Sequence, residues 1–154
     1  MTTRTFRRQK SPVQNHDWGS ESGRPRVLLV IDDVTELDAV AEILADAGYD
    51  VATCEGPDKS ARKKCDLLAS GTCALVERTD VVYYGLRMTD ADHREVVASL
   101  AQRFPDTPVI LEAPAPTLER FADLVRGHHL VRFPATRDAV LEAVGSVLDA
   151  PAGI

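Results

Sequence analysis

Acids at two places in this sequence have the side chains and positions that chemistry requires. Asp32 and Asp33 follow the apolar run VLLVI, and Glu112 follows the apolar run VIL. Mg²⁺ prefers a near-octahedral set of oxygen ligands that usually includes carboxylates, and two adjacent aspartates supply too few of them. We interpret Asp32 and Asp33 as solvated carboxylates, or one of them as a helix cap. An enzymatic crevice built on Asp32 and Glu112 lacks an evident nucleophile and base, so we predict no catalytic residue and no enzyme.

Cys54, Cys65 and Cys73 are a second group with reactive side chains. Their spacing, C-x10-C-x7-C, lacks the paired short spacers of zinc sites. We predict that they are small hydrophobic packing residues and that the protein has no metal or cofactor. The alternative is a zinc or iron-sulfur site completed by a ligand from elsewhere, or a redox pair. An odd number of cysteines without a secretory signal indicates a reducing, cytoplasmic location.

The histidines do not add a site to these groups. His128 and His129 are adjacent, so in a strand their side chains face opposite ways and cannot share a ligand by proximity alone. His93 stands at the start of a predicted helix, and we expect it on the surface.

Composition limits the kind of molecule that carries these residues. The chain has 154 residues, 44% of them hydrophobic and 27% charged, which suits one soluble domain. Residues 1–25 are polar and basic, and we predict a disordered tail there, with Trp18 as a stray aromatic. The net charge of −6 does not suit a surface for duplex nucleic acid, so only the tail is expected to touch nucleic acid, without specificity. No apolar run is long enough to cross a bilayer, and we predict no membrane association.

The apolar pattern of the sequence predicts the strands and helices that position these side chains. Val27 to Ile31 is a continuous apolar run, typical of a parallel strand that is covered on both faces. Further strands are predicted at 49–54, 80–84, 108–111 and 130–133. Helices are predicted from the N-cap Thr35 to a stop at Gly48, then at 59–68, 93–104 and 117–125, and after a cap at Thr136. Five strand-helix units predict a doubly wound parallel sheet over residues 26–150, with helices on both faces.

The carboxyl ends of parallel strands share one edge of the sheet, where such folds have their functional crevice. Asp32, Asp33, Gly85 and Ala113 follow or end predicted strands and therefore fall at this edge. Glu112 is also near it, but the in-out alternation of its strand makes a role in the crevice the minority interpretation.

Three stretches make the chain similar to a known family, the receiver domains of two-component response regulators. They are RVLLVIDDVTELDAVAEILADAGYDVAT, DVVYYGLRMTDAD and FPDTPVIL, and the likeness extends over roughly residues 26–148. It implies a CheY-like, flavodoxin-like fold with strand order 2-1-3-4-5. Receivers of this family bind Mg²⁺ with two acids after the first strand and phosphorylate an aspartate at the end of the third. A Ser or Thr and a Lys at later strand ends then sense the phosphate.

Most of that pocket is missing at the corresponding positions of this chain. The residues that the resemblance places there are Ile31, Asp32, Asp33, Gly85, Ala113, Phe133 and Pro134. Gly85 stands at the phosphoacceptor and has no nucleophilic oxygen. Ile31 replaces the first acid, and Phe133 replaces the lysine that would neutralise a phosphate. The resemblance therefore implies a degenerate pseudo-receiver.

We therefore expect signal transduction through protein contacts, independent of phosphorylation. By resemblance, the contact surface comprises the fourth helix, the fifth strand and the fifth helix, and its partner is another signalling protein or a second copy of the chain. The residues expected to be exposed there are Arg120, Asp123, Arg126, Arg132 and Arg137. The alternative function is a metal or redox sensor that uses Cys54, Cys65 and Cys73.

Overall fold

The fold is a five-stranded parallel sheet covered by helices on both faces. The structure is a computed structural model that describes Trp18 and residues 23–57, 65–85 and 90–149. The strands are β1 (Arg26–Ile31), β2 (Asp50–Cys54), β3 (Val81–Gly85), β4 (Val109–Ala113) and β5 (His129–Arg132). The helices are α1 (Val34–Asp46), α2 (Asp66–Ser70), α3 (Ala74–Glu77), α4 (Ala91–Arg103), α5 (Ala115–Arg120), α6 (Ala122–Val125) and α7 (Arg137–Asp149). The strand order is β2-β1-β3-β4-β5, which confirms the predicted fold and order.

The strands are buried on both faces, as their apolar runs predicted. All six residues of β1 are buried, and alternate residues belong to two separate cores. One core contains Leu28 and Tyr84 with the helices α2 to α6, and the other contains Leu29 and Tyr83 with α1 and α7. Each buried aliphatic or aromatic side chain stabilises the fold by about 1.5–3 kcal/mol. The period-two alternation of parallel strands thus decides which helix layer each side chain contacts.

Helix α1 follows the predicted pattern, with one correction at its N-terminus. Its buried side chains are the four that recur at helical spacing, namely Leu37, Val40, Ala41 and Leu44. The N-cap, however, is Asp33 and not Thr35, because the Asp33 side chain accepts a hydrogen bond of 3.0 Å from the Glu36 N–H. One of our two interpretations of the Asp32–Asp33 pair, that one of them caps a helix, is therefore confirmed for Asp33.

The segment between β2 and β3 differs most from the prediction. The predicted helix at 59–68 lies partly outside the described residues, and in the described part α2 begins only at Asp66 and continues to Ser70. A second short helix, α3, follows at Ala74–Glu77, where none was predicted. The fourth predicted helix is likewise divided into α5 and α6, which meet at Phe121.

Trp18 is not a stray aromatic, and that interpretation of the tail was wrong at this residue. The side chain is only 6% exposed, and its indole N–H donates a hydrogen bond of 3.0 Å to the Leu75 carbonyl. The Arg26 guanidinium lies 5.5 Å from the centre of the indole ring. The rest of the predicted disordered tail up to residue 22 lies outside the described residues. In the part of the chain that the structure describes, no helix has both the length and the apolar character needed to cross a bilayer.

Candidate functional site

The carboxyl ends of the strands surround a small cavity. Its volume is about 230 Å³. It is lined by Asp32, Asp33, Glu36, Gly85, Glu112, Ala113, Pro114 and Phe133. Five of the seven residues that the receiver resemblance placed in the pocket are therefore in this lining. A sixth, Ile31, packs against Gly85. The cavity is the candidate functional site.

Ile31 packs closely against Gly85, the residue that the resemblance places at the phosphoacceptor. The strand register pairs Ile31 with Gly85 and Gly85 with Glu112, so these three residues lie side by side on β1, β3 and β4. A Cβ atom placed on Gly85 would lie 3.0 Å from Cγ1 of Ile31, which is closer than carbon atoms normally pack. Ile31 is 1% exposed and belongs to the core, so it cannot easily move away. An apolar side chain thus occupies the space beside Gly85.

Glu112 lies in the cavity. This corrects our sequence-based prediction, in which a role of Glu112 in the crevice was the minority interpretation. It is 3% exposed, and its Oε1 accepts a hydrogen bond of 2.7 Å from the Tyr83 hydroxyl. Burial and then the charge of Glu112 raise the pKa of Tyr83 well above its ordinary value, so the hydroxyl remains a donor. The alternation of β4 puts Glu112 on the α1 face of the sheet together with Tyr83, where the two side chains form their hydrogen bond. A sequence cannot reveal this pairing because it depends on the register of β3 and β4.

Glu36 is the acid that sequence reasoning missed. It lies in the first turn of α1, and the structure places its carboxyl group against Glu112 in the cavity. Burial, followed by repulsion from Glu112, raises the pKa of Glu36 from its ordinary value of 4.5 to about 7. The positive end of α1 favours the ionised form by only about 0.3–1 kcal/mol, so burial and repulsion prevail. The spacing from Asp33 to Glu36 is a helix-start signal and gave no hint of this second role.

The acids of the cavity do not fit the Mg²⁺ ion that receiver domains bind. Asp33 caps α1, and Glu112 accepts from Tyr83, so both already have protein partners. Among the described residues, no group of three or more His, Cys, Asp or Glu side chains has the arrangement of a metal site. We therefore derive no step that passes through a metal ion.

A buried polar pair lies on the other face of the sheet. His93 is 2% exposed, so the prediction of a surface residue was wrong. Its Nδ1 lies 2.9 Å from the Tyr84 hydroxyl, and the two rings meet edge to face with centroids 5.8 Å apart. Burial raises the pKa of Tyr84 well above its ordinary value. This pair connects the start of α4 to β3, next to the candidate site.

The cysteines lie on the same side of the sheet as this pair and resemble packing residues more than a reactive centre. All three are half-buried free thiols that pack against the core containing Tyr84. Burial raises the pKa of Cys65 above its ordinary value of 9.0, which disfavours the thiolate that reacts and binds metals. Cys54 Sγ accepts from the Gly56 N–H at 3.4 Å. These contacts do not favour the alternative that the three cysteines form a metal or redox sensor.

An exposed surface adjoins the cavity on the β5 side. The Phe133 N–H donates to the Ala113 carbonyl at 2.9 Å, which holds Phe133 at the rim. The Phe133 side chain is 45% exposed, and Leu130 on β5 is 43% exposed. The five residues that we expected to be exposed on this surface are indeed exposed, and Arg126 and Asp123 form a solvated pair at 2.8 Å.

Solved structures with a similar fold include receiver domains. The receiver domain of NtrX from Brucella abortus matches with a TM-score of 0.61 and 19% identity, over 81% of this chain and 99% of that one. The signal receiver domain of an HD domain-containing protein from Pseudomonas fluorescens gives a TM-score of 0.62 at 21% identity, over 85% and 91% of the two chains. A receiver protein from Sinorhizobium medicae gives 0.62 at 23%, over 82% and 96%. The chain therefore has the receiver-domain fold.

The comparison with curated proteins gives a different kind of match. UvrABC system protein C from Caulobacter vibrioides is 32% identical over an alignment of 92 residues that covers 56% of this chain and 14% of that protein. The similarity therefore concerns a short segment of a much longer protein. No protein-family model matches this chain.

Proposed function

We propose that the protein is a pseudo-receiver that transmits a signal through protein contacts and is not phosphorylated. The observation that carries the proposal is the close contact at Gly85, where an added Cβ atom would lie 3.0 Å from Cγ1 of Ile31, so that a side chain at this position requires the buried Ile31 to shift. Acyl phosphate formation requires a carboxylate nucleophile at this position, and glycine supplies none. A receiver fold without phosphoryl chemistry still has its contact surfaces. We therefore assign its function to those surfaces.

The cavity itself supports the loss of phosphoryl chemistry. Four acids line it, and none of the described lining residues is a cation. A phosphoryl group would carry about −1.5 to −2 charges into this acidic environment, and repulsion would disfavour it. Phe133 stands where the resemblance implies a lysine and offers no donor for a phosphate oxygen. We also propose that the protein is not an enzyme, since the described residues that line the cavity include no nucleophile with a partner base.

The proposed contact surface comprises α5, α6, β5 and the N-terminal half of α7. Leu130 and Phe133 supply apolar area there, and exposed charged residues such as Arg120 and Arg132 belong to the same elements. Interfaces commonly combine a central apolar or aromatic group with a polar rim. The partner is another signalling protein or a second copy of the chain. The similar segment of UvrABC system protein C is a small part of a much longer protein. This agrees with a module that functions together with other protein domains.

The first test concerns phosphorylation. We expect no gain of a phosphoryl mass when the protein is incubated with acetyl phosphate and Mg²⁺, and none when Gly85→Asp is treated in the same way. In that variant the new side chain meets Ile31, and Phe133 and the surrounding acids still disfavour the anion. Intact-mass spectrometry, with an ordinary receiver domain as the positive control, measures both proteins. Phosphoryl uptake by Gly85→Asp would refute the account of the pocket.

A second test locates the contact surface. Wild-type protein and the double variant Leu130→Ser/Phe133→Ser serve as baits for native extracts and for a differently tagged copy of the chain. Val34→Ser is the matched control, because Val34 is 51% exposed on the first turn of α1, away from β5. We expect a bound protein, identified by quantitative mass spectrometry, to be retained by wild type and control and lost at least tenfold by the double variant. Equal retention by all three baits contradicts the proposed surface.

The sensor alternative has its own measurement. We expect protein purified anaerobically without added metal to contain no stoichiometric zinc or iron, because a thiol with a raised pKa is a weak ligand at neutral pH. Elemental analysis and an absorption spectrum measure the metal, and thiol titration should give three free thiols. Stoichiometric metal would place the function in the cysteine segment.

A further inference from the structure

The cavity beside Gly85 contains two carboxyl groups that face each other, and none of the described residues that line it is a cation. Glu112 projects from β4 and is 3% exposed, whereas Glu36 projects from the first turn of α1 and is half-buried. The Tyr83 hydroxyl from β3 donates to Glu112 at 2.7 Å. Two ionised carboxylates in a closed space repel each other strongly, so such a pair tends to retain a proton between them. In an ordinary receiver the same edge of the sheet takes up a phosphoryl group.

We propose that this cavity is a proton-binding site, and that loss of its proton alters the Phe133 rim of the contact surface. The inference rests on the proposed function, because it assigns an input to the same degenerate pocket. A proton on Glu36 allows the two groups to stay together, and its release creates a second charge that must move away from Glu112. Glu36 is nearer to solvent and is the group that moves outward, while Glu112 remains bound to Tyr83.

The surrounding groups determine the direction of the effect. The charged groups that face Glu36 are Glu112 from β4 and Asp33 and Asp32 from the β1–α1 loop, all of them acids. The Tyr83 hydroxyl faces Glu112 and Glu36 from β3. None of the described residues that line the cavity is a Lys, Arg or His. Every charge facing the pair thus opposes ionisation, and burial acts in the same direction, which agrees with the raised pKa of Glu36.

The path from the pair to the surface is short. Glu112 is followed directly by Ala113, whose carbonyl accepts from the Phe133 N–H at 2.9 Å. Phe133 also lines the cavity, so a change in the position of the acids alters its environment on two sides. The exposed phenyl ring of Phe133 then presents the change to a partner. The proton binds more tightly to the arrangement in which the two carboxyl groups are together. Its binding therefore shifts the population toward that arrangement, and its release shifts the population away from it.

The test is a pH titration of the isolated, isotope-labelled chain by NMR. We expect the Glu36 side-chain carboxyl signal to titrate with a midpoint near pH 7, the value of its raised pKa. We expect the backbone amide signal of Phe133 to follow the same midpoint. In Glu36→Gln the Phe133 transition should disappear, whereas in Glu42→Gln, an exposed acid on the same helix, it should remain. A Glu36 midpoint near the ordinary 4.5, or a Phe133 signal that does not follow Glu36, overturns the proposal.

Thermal unfolding provides a second readout. The folded protein holds the Glu36 proton more tightly than the unfolded chain, so this proton's stabilisation is complete below about pH 4.5 and is lost as the pH rises through about 7. We expect the Tm of wild type and of Glu42→Gln to fall by several degrees from pH 5 to pH 8 relative to Glu36→Gln. Identical pH profiles in the three proteins contradict the proton site. Since these experiments need no partner, their failure is distinct from failure of the Leu130 and Phe133 bait experiment.

Discussion

Trp18→Ala is expected to destabilise the protein by about 3–5 kcal/mol, the range for removing a large buried aromatic side chain. The indole ring is 6% exposed and packs in the core formed by β1, β3 and the helices α2 to α6. Its removal also leaves the Leu75 carbonyl without its 3.0 Å donor and removes the ring on which Arg26 stacks. Chemical denaturation followed by far-UV circular dichroism measures the loss.

Trp18→Phe is the matched control for this prediction. It retains an aromatic ring but lacks the indole N–H, so it should cost about 1–2 kcal/mol, mainly for the lost hydrogen bond and some packing. Because Trp18 is the only tryptophan of the chain, its fluorescence also reports the contact directly. We expect a blue-shifted emission that acrylamide quenches poorly. A stability of Trp18→Ala equal to that of wild type, together with a solvent-exposed emission, would falsify the buried position.

His93→Ala is expected to lower the free energy of unfolding by about 2–4 kcal/mol, from a cavity and an orphaned hydroxyl together. Tyr84 is fully buried, and its hydroxyl has His93 Nδ1 as a partner at 2.9 Å. Gly56 also packs against the imidazole, since a Cβ added at Gly56 would lie 3.0 Å from His93 Cε1. Loss of the ring therefore affects the ends of β2 and β3 and the start of α4. Urea denaturation at neutral pH measures the change.

His129→Ala is the control, because His129 is exposed on β5 and should change stability by less than about 0.5 kcal/mol. Tyr84→Phe tests the hydrogen bond with little change in volume, and the double variant with His93→Ala completes a thermodynamic cycle. We expect a coupling energy of about 1 kcal/mol or more between Tyr84 and His93. Additive effects of the two single variants would show that His93 contributes only packing.

Both predictions concern residues that sequence reasoning placed at the surface. Trp18 lies in a polar, basic segment without apolar periodicity, and His93 lies in the first turn of a helix, where polar residues are common. In each case a partner distant in the sequence, Leu75 or Tyr84 on another element, is what buries the side chain. No local pattern reports such partners, because burial of a polar group depends on a hydrogen bond that forms only in the folded chain.

The sequence by itself determined the framework of this protein. Continuous apolar runs such as Val27 to Ile31 indicated strands covered on both faces, and the spacing of Leu37, Val40, Ala41 and Leu44 defined the buried face of α1. The sheet order followed from the receiver resemblance. Gly85 itself was also decisive at this level, since a residue without a side chain cannot accept a phosphoryl group in any fold.

Only the tertiary structure decided which side chains surround Gly85. The register Ile31–Gly85–Glu112 brings an apolar side chain against the glycine and aligns Glu112 beside it, and a shift by one residue would turn Glu112 to the other face. The packing of α1 on the sheet then brings Glu36 to Glu112 and raises the pKa of Glu36 through burial and repulsion. Residues 31, 36, 85 and 112 come from four different elements, and their meeting is a property of long-range packing, which a local sequence pattern does not contain.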